Sequence, residues 1–321
     1  MKKNRLVIAA VTGILALALS SCGGPNEAPA EPGALEKAAV KVGVMPLADY
    51  GAVYWAKDKG FFEKAGLDVE LVPLQGGPIG VQKVASGEID FSFSNTMSST
   101  QAINGGAPVT TVVLTSSVGP GSIGVYVTPD SPIKDIGDLD GKTVGINTTN
   151  NIGDVSFQSL ASSMNLDTKP IWVEVPFNEM ISGVQANSIE AGYMPEPFGS
   201  AALEAGLRKV VDLTEGPNEK LPVSTFVASN KFVESNPVTT EAFATAMYEA
   251  GNDIASKEKE FRQWLPGVAG VSQEVAETMT IPVMEPKMDV AKVQYIADML
   301  IKQGIIDSFD ASKSTFVAGS K

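Results

Sequence analysis

Between residues 39 and 194, short strand-like runs alternate with helix-like segments, and the alternation runs through twice. Ala39 to Val44 (AVKVGV) predicts a strand, Val53 to Lys59 a helix stopped by Gly60, and Leu67 to Leu74 (LDVELVPL) a second strand. Pro78 at a first helical turn opens a helix through Ala85, which Gly87 closes. Ile89 to Phe93 and Val109 to Leu114 follow as strands. The order then restarts, with strands at 124–128, 143–146, 171–175 and 191–194, a helical turn at 135–139, and helices at 154–164 and 179–186. A βαβ order implies a mostly parallel sheet covered by helices on both faces. Two such units predict an α/β protein of two similar lobes joined by a hinge. Crossings between lobes are expected near Ser116 to Gly124 and Ala228 to Phe232. That assigns 39–116 plus 232–321 to the first lobe and 117–231 to the second. About 280 residues from Val40 onward are comfortable for two lobes.

The tail has a different pattern. Asn236-Pro237 starts a helix, and Phe243, Met247, Ala250 and Ile254 recur on one face at helical spacing. Val293, Ile296 and Leu300 form a second stripe with Gly304 beyond it. Both stripes are read as core.

The N-terminus carries an export pattern. Lys2, Lys3 and Arg5 precede an apolar run of 14 residues, LVIAAVTGILALAL, and small residues follow. The run is short of the roughly 20 residues that span a bilayer. Leu19-Ser20-Ser21-Cys22 resembles the lipobox of bacterial lipoproteins, which implies cleavage before Cys22 and a diacylglycerol on its sulfur. Residues 1–21 are then a lipoprotein signal peptide, and two or more acyl chains give stable membrane attachment where one gives only marginal binding. Residues 22–38 are rich in Gly, Pro, Ala and Glu and read as a flexible tether. The protein is expected at the outer face of the cytoplasmic membrane or in the periplasm.

Cys22 is the only cysteine and there is no histidine, so thiolate, zinc and Ser-His chemistry lack their parts. Net charge is −13; without Lys2, Lys3 and Arg5, 21 cations face 37 acids, a net −16. Such a surface argues against nucleic acid.

A family resemblance rests on a series of segments in order: YWAKDKGFFEKAGLDVELVPLQGG (54–77), VASGEIDFSF, GGAPVTTVV, DLDGKTVGIN and GYMPEPF. Over about residues 40–230 the chain resembles the ABC-importer substrate-binding proteins for sulfonates, taurine, nitrate and thiamine-precursor pyrimidines. The resemblance implies a type II periplasmic-binding-protein fold and a cleft that closes on one small molecule. It also implies a monomeric receptor with no cofactor and no enzymatic turnover, whose partner is an ABC importer permease in the membrane.

In open α/β sheets, ligands sit outside the carboxyl ends of strands. Those ends are polar here: Asp49 and Tyr50, Gln75, Gly76 and Gly77, Asn95 and Thr96, then Asn147, Thr148, Thr149, Asn150 and Asn151. The second and fourth groups open helices, where backbone N–H groups suit an anion; Asn and Thr also cap helices without any ligand. Asp49 either meets ligand or caps a helix, and Tyr50 is either an aromatic wall or core. Glu196, between two prolines, either accepts backbone N–H groups at the lobe interface or greets an amine. No run of Arg or Lys lines these loops, so uncharged donors would hold an anionic sulfonate, carboxylate or nitrate. The alternative ligand is a pyrimidine. GPGSIG (119–124) matches a dinucleotide pattern, but a strand follows it where a helix is required, so it reads as a lobe crossing. An enzyme on the same fold would need catalytic parts absent here; a solute sensor would share the same ligand chemistry.

Overall fold

The computed structural model describes residues 34–319; the signal segment, Cys22 and most of the expected tether lie outside the described residues. In chain order the strands are β1 (Ala39–Val44), β2 (Asp68–Pro73), β3 (Phe91–Asn95), β4 (Val109–Ser117), β5 (Ile123–Val127) and β6 (Thr143–Ile146). They continue as β7 (Ile171–Glu174), β8 (Ala191–Pro195), β9 (Arg208–Asp212), β10 (Pro222–Ser229) and β11 (Val283–Met284). The helices of the first half are α1 (Gly51–Asp58), α2 (Phe61–Lys64), α3 (Gly77–Ala85), α4 (Thr96–Asn104), α5 (Ile152–Ser163), α6 (Phe177–Gln185) and α7 (Phe198–Glu204). The later ones are α8 (Asn230–Ser235), α9 (Pro237–Ser256), α10 (Glu258–Trp264), α11 (Pro266–Ala269), α12 (Gln273–Thr278) and α13 (Val290–Lys302).

Two sheets form, one per lobe, in the orders β11-β4-β10-β3-β1-β2 and β7-β6-β8-β5-β9. β1 pairs in parallel with β2 and β3, and β6 in parallel with β7 and β8, as a βαβ order requires. In the first sheet β10, between β3 and β4, and the short edge strand β11 run the other way; in the second only β5, between β8 and β9, does. β5 and β10 are the strands by which the chain enters each lobe from the other.

That topology corrects one expected boundary. β10 (222–229) pairs in the first sheet, so the return crossing runs through residues 213–221 rather than Ala228 to Phe232, and β10 does not belong to the second lobe. Its side chains are buried along nearly its whole length, so it shows no one-sided alternation. The outward crossing lies between β4 and β5, across the GPGSIG segment.

The tether also ends earlier than residue 38. The Glu36 carboxylate accepts the Val238 and Thr239 backbone N–H groups at 3.1 and 2.9 Å, at the start of α9. A negative charge is favoured there by the helix dipole. Lys37 pairs with Asp90 at 2.7 Å.

Packing follows the sequence patterns. Phe243, Met247, Ala250 and Ile254 of α9 are buried, and Phe243 stacks on Phe91 at 4.0 Å between ring centroids. Val293, Ile296 and Leu300 of α13 are buried as well. Within each lobe the strand next to the sheet's edge strand, β1 or β6, holds a glycine at a close approach. A Cβ on Gly43 would lie 2.5 Å from Ser92 Oγ, and one on Gly145 2.5 Å from Met180 Sδ. Among the described residues no helix is long and apolar enough to cross a membrane.

Candidate functional site

The carboxyl ends of β1, β3, β6 and β8 face one another across the lobes and enclose a small cavity. About 40 Å³ of it is open to the centre of a water molecule.

β1 delivers its chain into the turn Ala48–Tyr50, which seats Asp49 and Tyr50 before α1. The Asp49 backbone oxygen accepts Ser116 Oγ at 3.2 Å and so fixes the turn. The Asp49 carboxylate is 7% exposed, lines the cavity, and has no hydrogen-bond or ion-pair partner among the described residues. Burial and the nearby Glu196 push it up to about 7.

Aromatic rings form both walls. Tyr50 meets Phe93 edge-on at 5.0 Å in the first lobe. In the second, Phe177 lies 6.0 Å from Tyr193 and stacks on Phe198 at 5.4 Å. Such walls accept a flat ring, offset-stacked or edge-to-face. Burial, then the Asp49 charge, holds the Tyr193 hydroxyl far above its ordinary range, so it is a neutral donor.

Of the expected site residues, Asp49, Tyr50, Gly76, Gly77, Asn95 and Asn147 line the cavity. Asn95 also caps α4, its Oδ1 accepting Ser98 N–H at 2.8 Å. The others sit elsewhere. Gln75 is exposed. Thr96 is buried with its hydroxyl donated to the Pro222 carbonyl at 2.6 Å. Thr148 and Thr149 line a separate outer groove, and the Thr149 N–H and hydroxyl are both spent on Glu174 at 2.8 Å. Asn150 adopts a left-handed φ of 53° and donates its N–H to Asp154 at 2.5 Å. The 148–150 loop therefore supports the cleft from behind.

Glu196 stands beside the cavity, next to its lining residue Pro195, and is 6% exposed. It accepts Ser200 Oγ at 2.9 Å and Ser200 N–H at 3.1 Å, with a further backbone bond from Thr280. Burial raises its carboxyl, and those hydrogen bonds oppose the rise. It accepts backbone N–H groups and also faces Asp49.

Sequence reasoning missed Phe177 and Tyr193, whereas Asn151, the last residue of the Asn147–Asn151 run, lines the cavity. Asn151 also forms a capping box with Asp154. Phe177 and Tyr193 lie one hundred residues after Gly77 and Phe93, which line the same cavity from the first lobe. No Lys or Arg side chain lines the cavity.

Comparison with known proteins agrees with this architecture. The periplasmic aliphatic sulphonate binding protein of Escherichia coli superposes with a TM-score of 0.71 at 18% identity, over 89% of this chain and 94% of that one. A Brucella abortus protein named "Putative binding protein" is 26% identical over 231 residues, 65% of this chain and 69% of that protein. A Haemophilus influenzae protein named "Putative thiamine biosynthesis protein" is 24% identical over 80% of this chain and 84% of its own length. The sequence model of the family described as NMT1/THI5 like matches residues 47–260, about two thirds of the chain. The chain has the periplasmic-binding-protein fold and belongs to the NMT1/THI5-like family.

Proposed function

We propose that this protein is a solute receptor that closes two lobes over one flat, amino-bearing heteroaromatic molecule of the aminopyrimidine class and delivers it to an ABC importer. The observation that carries this reading is the buried, unpartnered Asp49 carboxylate at the cleft, facing a second carboxylate with no cation among the lining residues. A sulfonate, nitrate or carboxylate there would meet like charge without compensation. An aminopyrimidine reverses the balance. Its exocyclic amine donates to a carboxylate, and its ring nitrogen accepts from a protonated carboxyl or, once protonated, donates as well. A carboxyl that titrates near neutrality serves either state. The facing rings of Tyr50, Phe93, Phe177 and Tyr193 suit the heterocycle's faces and edges. The name of the Haemophilus influenzae relative supports the class; the fold shared with a sulfonate binder is the basis of the competing anionic reading.

The test is a thermal-shift panel on the full chain with 4-amino-2-methylpyrimidine, taurine, ethanesulfonate, nitrate and benzoate. A ligand at 100 times its Kd stabilises by about 2.7 kcal/mol. The aminopyrimidine is expected to give the largest shift and to be recovered chemically unchanged. A shift from a sulfonate or nitrate alone supports the anionic reading, and conversion of the ligand supports an enzyme.

We also propose that Cys22 carries the lipid that tethers the receptor outside the cytoplasmic membrane, on the strength of the charged, apolar and lipobox order of residues 1–22. Cys22→Ser is expected to abolish incorporation of labelled palmitate. Undiminished labelling contradicts it.

A further inference from the structure

We propose that Ser98 and Gln101 of α4, with the Asn150-Asn151 turn ahead of α5, form a latch that holds the two lobes shut independently of ligand. Ser98 and Gln101 stand three residues apart on one face of a first-lobe helix, where they are neighbours. Each reaches one of two adjacent residues of the second lobe. Asn151 Nδ2 donates to Ser98 Oγ at 2.7 Å, and Gln101 Nε2 donates to the Asn150 carbonyl at 2.6 Å. Ser98 and Asn151 are 6% and 5% exposed, so their bond is shielded from water. Asn151 Oδ1 is already occupied by the Ile152 N–H at 2.9 Å, so Ser98 is the partner of its amide donor.

Position gives these bonds their role. Asn151 lines the ligand cavity, and it also lines an outer groove of about 450 Å³ together with Ser98 and Gln101. The latch is therefore part of the wall between the cavity and the outside. The left-handed backbone at Asn150 turns its carbonyl to Gln101 while Asn151 points inward to Ser98. When the lobes part, both bonds are exchanged for water. Each then shifts the closed-to-open ratio by only about 3- to 10-fold, the size of a single net hydrogen bond. A latch of that strength favours closure without trapping the ligand.

The test needs no ligand, so its outcome is separate from the ligand class proposed above. Spin labels at Asn104→Cys on the first lobe and Met164→Cys on the second, in the full chain carrying Cys22→Ser, report the interlobe distance by pulsed dipolar spectroscopy. Both sites are exposed. Ser98→Ala and Gln101→Leu are each expected to raise the longer-distance population about 3- to 10-fold relative to the shorter one. Thr100→Val is the control on the same helix, because the Thr100 hydroxyl is buried without a partner; it should leave the distances unchanged. Gln101 is only half-buried, so its variant keeps the test valid if Ser98→Ala folds poorly. The proposal is overturned if the parent shows only the longer distance, if the latch variants keep the parent's ratio, or if Thr100→Val opens the lobes equally.

Discussion

The two lobes repeat one plan a hundred residues apart, yet they bring unequal chemistry to the cleft. In the first, Asp90 ahead of β3 accepts the Lys41 N–H of β1 at 2.9 Å; in the second, Glu190 ahead of β8 accepts the Thr143 N–H of β6 at 2.9 Å. Each acid also pairs with a lysine, Lys37 at 2.7 Å and Lys142 at 3.0 Å. Gly43 and Gly145 allow matching close approaches, and Phe93 and Tyr193 present matching rings to the cavity. The asymmetry lies in the charges. The second lobe's Glu196 is held by Ser200, whereas the first lobe's Asp49 carboxylate has no partner among the described residues. The repeated features build the cleft, and the feature without a counterpart is the one left to recognise a ligand.

The largest expected asymmetry is in pH dependence. A carboxyl with a raised pKa holds its proton longer in the folded state than in the unfolded one. Between the unfolded value near 4 and the folded value of about 7, the folded state therefore binds more protons, and stability falls as pH rises through that window. Asp49 should contribute a loss of about 2–4 kcal/mol between pH 4 and pH 8 in the ligand-free protein. Urea unfolding at several pH values should show that slope reduced by this amount in Asp49→Asn.

Next come the paired glycines. Gly43→Ala is expected to cost about 1–3 kcal/mol by overpacking, because its Cβ would meet Ser92, Leu74 and Ile89 together. Gly145→Ala should cost less, because its Cβ would meet two side chains rather than three, the flexible Met180 and the end of Ile189. Equal losses in melting experiments would show that the two strands are packed alike.

The paired acids should differ by a smaller margin. Asp90→Asn, at a buried site with a salt bridge and a backbone bond, is expected to cost about 1–2 kcal/mol. Glu190→Gln, at an exposed site, should cost less than about 1 kcal/mol. Denaturant midpoints of the two variants provide the comparison.

The smallest effect belongs to Thr149→Ala. It removes the exposed hydroxyl bond to Glu174 and should lower stability by less than about 1 kcal/mol while leaving ligand affinity unchanged within experimental error. A tenfold loss of affinity would return the 148–150 loop to the ligand site.

Much of this was legible in the sequence because it is local. The two βα alternations, the apolar stripes of α9 and α13, and the polar ends of β1 and β3 all announce themselves within short windows. What escaped depends on distant partners. β10 is sandwiched between β3 and β4 and buried along nearly its whole length, so it gives no alternation to mark its lobe. Asn147 to Asn151 reads as a run of ligand donors until Glu174 and Asp154, from other elements or the next turn, take up the donors of Thr149 and Asn150. Asp49 was visible as a candidate. That no cation stands with it among the cavity-lining residues emerged only once the second lobe completed the cavity.

Calorimetric titration of the full chain with 4-amino-2-methylpyrimidine and with 2-methylpyrimidine, which lacks only the amine, tests the role of Asp49 most directly. The account predicts one site per chain and binding of the amino compound about 10- to 150-fold tighter, the value of one hydrogen bond to a charged group. It also predicts that Asp49→Asn erases most of that difference. Equal affinity for the two pyrimidines, or the same preference in Asp49→Asn, would contradict it.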